Sequence, residues 1–213
     1  PIDDQTSWQC AADRKEFLDF AEEYPARGMP YGLPAISQAQ QAQISSWVAG
    51  GALDDTDYSL TKSEQARVVM WERWLNADDL KQQLIARYIY EHLFLANLYF
   101  SEEAAADRRY FELVRSSTPP GEPLTVIATR RPFDDPGVER VYYRLRLDRE
   151  TPVAKTHMPY PLNEEKLANW KRWFVAPDYT VDQLPSYAIK SASNPFKTFA
   201  QLPPDARYRF MLD

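Results

Sequence analysis

A chain of 213 residues with 44% hydrophobic and 14% aromatic side chains can bury one large core or two small ones, which argues against a disordered polypeptide. Its net charge of -6, with no Lys/Arg cluster standing unbalanced, argues against nucleic acid as a partner and sets anionic membrane surfaces against the chain on average. One cysteine, Cys10, and two histidines exclude an internal disulfide framework and a thiolate or His-rich zinc site within the chain.

The first amphipathic pattern, Asp13 to Tyr24, carries Phe17, Leu18, Phe20 and Ala21 and stops at Pro25. The loop RGMPYGLP, Arg27 to Pro34, follows, with Met29 and Tyr31 as its large side chains. Ser37 and Gln40 form a capping box for a helix whose Ile44, Trp47 and Val48 predict an inner face, and Gly50-Gly51 ends it. A second box, Thr61 and Glu64, opens a helix with Val68, Trp71, Trp74 and Leu75 on one side.

The stretch LKQQLIARYIYEHLFLANLYF, Leu80 to Phe100, has no Gly or Pro and two apolar stripes, Leu84-Tyr88-Leu95-Tyr99 and Ile85-Ile89-Leu93-Ala96-Phe100. It predicts one central helix over residues 79–100, about six turns long, capped by Asp78 and paired with the preceding helix as a hairpin. Lys81, Arg87, Glu91, His92 and Asn97 interrupt it too often for a membrane span.

After Ser101 the period shortens. Tyr110 to Val114, Leu124 to Ala128 and Val141 to Leu147 predict strands of a small antiparallel sheet, separated by Pro-rich connections. Asn163 caps another helix, with Leu162 and Leu167 as a staple and Trp170, Trp173 and Phe174 on its buried face. Short helical pieces start at Pro195 and at Pro203-Pro204. The expected class is α+β dominated by helix, in two parts, residues 1–53 and 54–213.

Three places bear on chemistry. Met29 sits in a Pro/Gly loop before a capped helix ending WVAGGA, a pattern similar to the loop that supplies the thioether ligand of haem iron in small c-type cytochrome domains. The first part is therefore expected to be cytochrome-c-like, although it lacks Cys-x-x-Cys-His; the plain alternative is a packed methionine. In ATRRPFDDPG, Arg130 or Arg131 can clamp a carboxylate or phosphate with Asp134 or Asp135 orienting it, or the Asp residues can bond their own backbone in a turn. His92 reads as a neutral, hydrogen-bonded core histidine with an acceptor near Glu91 or Tyr88, whereas His157, in the extended KTHMPYP, is the better chemical candidate. No ordered nucleophile and base, Gly-rich phosphate loop or catalytic carboxylate pair stands out.

The stretches RGMPYGLPAIS, LKQQLIARYIYEHLFLANLYF, YFELVRSSTPPG, IATRRPFDDPG, VYYRLR, KTHMPYPL and SNPFKTF together resemble the bacterial fatty acid cis/trans isomerase family. The resemblance implies a periplasmic c-type-haem protein that converts cis-unsaturated acyl chains of membrane phospholipids to trans. The chain starts at Pro1 without Met and ends on an apolar run, so it is expected to be an internal piece whose partners include the rest of the parent chain. The implied chemistry needs a cofactor. A peptide bond, only partly double, already has a rotation barrier of about 18 to 20 kcal/mol, whereas turnover near 10 per second allows about 16 kcal/mol. An electrophilic haem withdrawing π-density lowers that barrier, and thiol addition at Cys10 is a second route. The competing readings are a non-catalytic scaffold or lipid-docking module, and an electron-transfer cytochrome fragment.

Overall fold

The computed structural model describes residues 11–25, 36–53, 59–103, 108–149 and 158–213. The chain divides into two compact units, Pro1–Asp57 and Tyr58–Asp213.

The first unit contains α1 (Arg14–Glu23) and α2 (Gln38–Ala49). Asp13 caps α1 by accepting from the Lys15 and Glu16 amides at 2.8 and 2.9 Å. Ser37 and Gln40 close the expected capping box of α2. Gly51, at φ 96°, takes the left-handed turn after that helix, a conformation that suits a residue without Cβ. Neither helix has a buried residue. The inner face expected of α2 is therefore not covered: Ile44, Trp47 and Val48 are exposed by half or more.

The second unit holds the core. Its helices α3 (Lys62–Leu75) and α4 (Leu80–Leu93) are followed by β1 (Asn97–Phe100), β2 (Phe111–Ser116), β3 (Tyr142–Leu147) and β4 (Pro159–Leu162). Then come α5 (Glu164–Trp170), a π-helical turn at Lys171–Val175, and the short α6 (Ile189–Ala192), α7 (Pro195–Thr198) and α8 (Pro204–Leu212). This is α+β, as expected. Thr61 and Glu64 form the predicted box at the start of α3, and Asn163 caps α5 through the Lys166 amide at 2.8 Å. α4 is capped by Asp79, which accepts from Gln82 N at 2.8 Å, and not by Asp78, whose side chain is fully exposed. The cap has to stand immediately before the first helical residue, here Leu80.

The single helix expected over 79–100 is corrected: α4 ends at Leu93, and Asn97–Phe100 is a strand. Ala96 N returns to Leu93 O at 2.9 Å, and β1 then inserts between β2 and β4. Pairing on both sides overrides local helix propensity. Leu98 and Phe100 alternate inward while Leu95, expected in the helical stripe, is 62% exposed. The sheet order is β3-β2-β1-β4. β2 is antiparallel to both neighbours but β4 runs parallel to β1, from Asn97↔Pro159 to Phe100↔Leu162, so the sheet is mixed and not wholly antiparallel. Pro159 and Pro161 fit β4 because it lies at the edge. The strand expected at Leu124 to Ala128 is reduced to one bridge, Val126 with Ser116, after Pro123.

If β1 is a strand, Ile89→Ala, at a site 1% exposed, destabilises by about 2 to 5 kcal/mol, whereas Leu95→Ala changes stability by less than about 0.5 kcal/mol. Urea unfolding of both variants checks this; equal losses would restore the continuous helix.

Candidate functional site

Met29, His157 and Cys10 lie outside the described residues. The loop at Arg130–Arg131 is self-contained. Asp134 accepts from Arg131 N and Nε at 3.0 and 2.9 Å, and Asp135 accepts from Gly137 N at 2.9 Å, the turn arrangement. Arg130 is exposed, and the buried Arg115 donates to Asp134 O at 2.8 Å and to Thr129 Oγ1. The structure thus joins Arg131 to Asp134 and leaves Arg130 and Asp135 apart.

His92 is a packed residue. Its Nδ1 is 2.7 Å from Tyr88 O, and its ring lies 4.1 Å from Tyr88, 6.1 Å from Phe199 and 6.0 Å from Phe210. Burial pushes its pKa below 6.5, opposed by the bond to Tyr88. No group of three or more His, Cys, Asp or Glu among the described residues is placed to hold a metal.

What they build is a groove of about 730 Å³ between α3 and the segment from α5 into the π turn, within the range of about 300 to 1,000 Å³ for ligand clefts. Its floor and walls are Met70, Trp74, Ala77, Leu167, Val175 and Ala176, with Gln82 at one end. Arg73, Lys171 and Arg172 complete the lining, and no carboxylate does.

The wall from α3 is fixed from beneath. Trp71 and Trp74 meet Trp170 of α5 with ring centres 5.4 and 5.7 Å apart. Buried Gln82 donates to Trp74 O at 2.9 Å and ties the end of α3 to α4. On its sheet side α3 is clamped to β3: Glu72 accepts from Arg144 Nε at 2.8 Å and Leu145 N at 2.9 Å, and Asn76 exchanges bonds of 2.8 Å with Tyr143 N and O.

The opposite wall depends on the π turn, closed by Ala176 N to Lys171 O at 2.9 Å. One extra residue in the turn rotates the helix face, so Phe174 stays fully buried while Lys171, Arg172 and Val175 face outward. The freed carbonyls at its end are satisfied. Lys81 Nζ donates to Val175 O at 2.9 Å and Pro177 O at 2.8 Å while lying 4.0 Å from the Tyr179 ring, and Tyr179 OH donates to Phe174 O at 2.7 Å.

Across α3 lies a second cleft of about 750 Å³, lined partly by Phe100, Leu162 and Trp71 but carrying Glu102, Glu164 and Glu165 against one arginine, Arg67. The first two glutamates of α5 serve its N-terminus. The apolar groove is the candidate site, because it combines a hydrophobic floor with positive charge, whereas the acidic cleft repels anions.

A family model described as fatty acid cis/trans isomerase matches residues 2–213. The chain belongs to the fatty acid cis/trans isomerase family. No curated protein and no solved structure matches it. The membership supports a fatty acid cis/trans isomerase-like function, and an apolar groove suits a fatty acyl substrate. Sequence reading missed the groove because Arg73 and Lys171 are neighbours only in the fold. The pattern Lys171-Arg172-Trp173, basic residues beside a half-buried aromatic, was the one available signal.

A half-buried His92 with depressed pKa contributes stability that is complete above about pH 6.5 and is lost as pH falls through its folded value. Glu72 and Glu91 run the other way, since burial raises both above 4.5 and their ionisation costs stability as pH rises. His92→Gln should therefore flatten the mildly acidic fall in thermal stability and cost little at neutral pH. Identical acid profiles for the two proteins would remove His92 from the core account.

Proposed function

We propose that this chain is the acyl-handling part of an enzyme that converts cis-unsaturated acyl chains of membrane phospholipids to trans, and that the groove between α3 and the π turn seats the chain. One observation carries the reading: in a member of this family, six apolar or aliphatic side chains form a groove open at the surface and free of carboxylates. Burying apolar surface at about 25 cal/mol per Å² is the force available for holding a hydrocarbon chain, and the two tied walls keep its bed from collapsing.

The groove contributes binding and orientation. A haem c, if it accompanies this reading, would supply an electrophile that weakens the double bond, and Met29 is the residue of this chain proposed to hold it. The proposed location is the periplasm. The same groove also carries the non-catalytic lipid-docking reading, and activity separates the two.

Val175 is 40% exposed, so Val175→Asp leaves the core intact while placing a charge in the acyl bed. It should weaken oleate binding, followed by tryptophan fluorescence, by about ten-fold or more, and lower isomerisation in the full-length enzyme to match. Lost binding with full isomerisation would make the groove a docking site only; unchanged binding would reject the groove.

A further inference from the structure

Resting on that reading of the groove, we propose that Arg73, Lys171 and Arg172 form a headgroup clamp that makes the site select acyl chains presented by anionic phospholipids at a bilayer surface over those of zwitterionic lipids.

The three cations come from two elements and converge on one groove. Arg73 lies in the last turn of α3, and Lys171 and Arg172 open the π turn. All three are exposed. Arg73, in the last turn of its helix, also complements the α3 dipole, which any single cation there would do. The arrangement across the groove goes further. Most other arginines of this unit pair with carboxylates: Arg67 with Glu103, Arg87 with Glu91, Arg109 with Glu64, Arg131 with Asp134, Arg140 with Asp78, Arg144 with Glu72, Arg146 with Glu112 and Arg209 with Asp205. The three rim residues form no ion pair among the described residues. Arg172 Nη2 meets only the neutral amide oxygen of Asn169, at 2.8 Å.

Positive charge without a carboxylate partner, gathered on one groove of a chain with net charge -6, offers that groove to an anion. The floor beside it is hydrocarbon, so the complementary ligand has an anionic head and an apolar tail. The charge order across α3 strengthens the match. With Glu102, Glu164 and Glu165 on the far cleft, an anionic surface attracts the groove side and repels the other, which orients this unit with the groove toward the lipid. Guanidinium groups suit phosphate oxygens through paired N–H donors, and the ammonium of Lys171 adds a point charge. In a zwitterionic lipid the headgroup ammonium already neutralises the phosphate, so the clamp gains little.

Vesicles of dioleoyl phosphatidylglycerol and dioleoyl phosphatidylcholine carry the same cis acyl chains and differ in head charge. Co-sedimentation of the full chain should show binding at least about 25-fold tighter to phosphatidylglycerol at about 0.1 M salt, with the preference erased at about 1 M, where the screening length falls to about 3 Å. Each basic residue at an anionic surface contributes about five-fold. The double variant Arg73→Gln/Lys171→Gln should therefore lose about 25-fold on phosphatidylglycerol, keep its melting temperature and leave phosphatidylcholine binding unchanged. Arg146→Gln/Arg209→Gln, at exposed cations elsewhere, should have no such effect. Equal binding to both lipids, or an equal loss in the control pair, would overturn the clamp while the acyl groove stands. Binding to neither lipid, with Val175→Asp also without effect on oleate, would instead remove the groove reading itself.

Discussion

The Trp170 indole touches three parts of the fold at once. It lies against Trp71 and Trp74 of α3, Phe210 of α8 and Tyr160 of β4, at ring-centre distances of 5.4, 5.7, 5.4 and 6.3 Å, and is 1% exposed. Truncating a buried tryptophan costs about 3 to 5 kcal/mol, a large part of the roughly 5 to 15 kcal/mol that holds a typical domain. Here the loss would also be local to the site, because Trp170 sits at the junction between α5 and the π turn and supports Trp74 from below. Core stability and groove shape thus rest on the same contact.

The clamp between α3 and β3 plays the complementary part. Glu72 is buried, and removing its carboxylate from water is costly; burial accordingly raises its pKa in spite of Arg144 and the Leu145 amide. Such a pair adds little net stability over an apolar substitute, but breaking one half leaves an uncompensated charge. Its value is geometric. Together with Asn76, which pairs with Tyr143 as a strand would, it fixes the rotation of α3. That rotation turns Met70, Arg73, Trp74 and Ala77 toward the groove.

Features decided by local chemistry could be read from sequence. Both capping boxes, the Asn163 cap, the Pro-started tail helices and the core role of His92 depend on residues within a few positions of each other, and each stands where expected. Residues 94–100 could not be read this way, because LYF continues a helical stripe as well as it alternates in a strand, and only pairing with β2 and β4 decides between them. The π turn was hidden for a similar reason: KRWFV extends the pattern of α5, and one inserted residue leaves no mark in composition. The site was the least legible element. ATRRPFDDPG shows its Arg and Asp together in sequence and pairs Arg131 with Asp134 within one turn, whereas the groove cations Arg73 and Lys171 are distant in sequence and unremarkable one by one. Met29, His157 and Cys10 fall outside the described residues, so the fold adds nothing to what sequence said of them.

For a fatty acid cis/trans isomerase the difficult chemistry is electronic, but no electrophile acts on a double bond that is not held in place. On the proposed reading the described unit contributes the holding: an apolar bed, two walls tied by Trp170 and Glu72, and a positive rim. Photo-crosslinking the full-length enzyme with an oleoyl phospholipid carrying a diazirine in its acyl chain, followed by peptide mapping, tests this most directly. Adducts should concentrate on residues 70–77 and 167–176. Adducts confined to the acidic cleft around residues 63–67, 101–102 and 162–165 would contradict it.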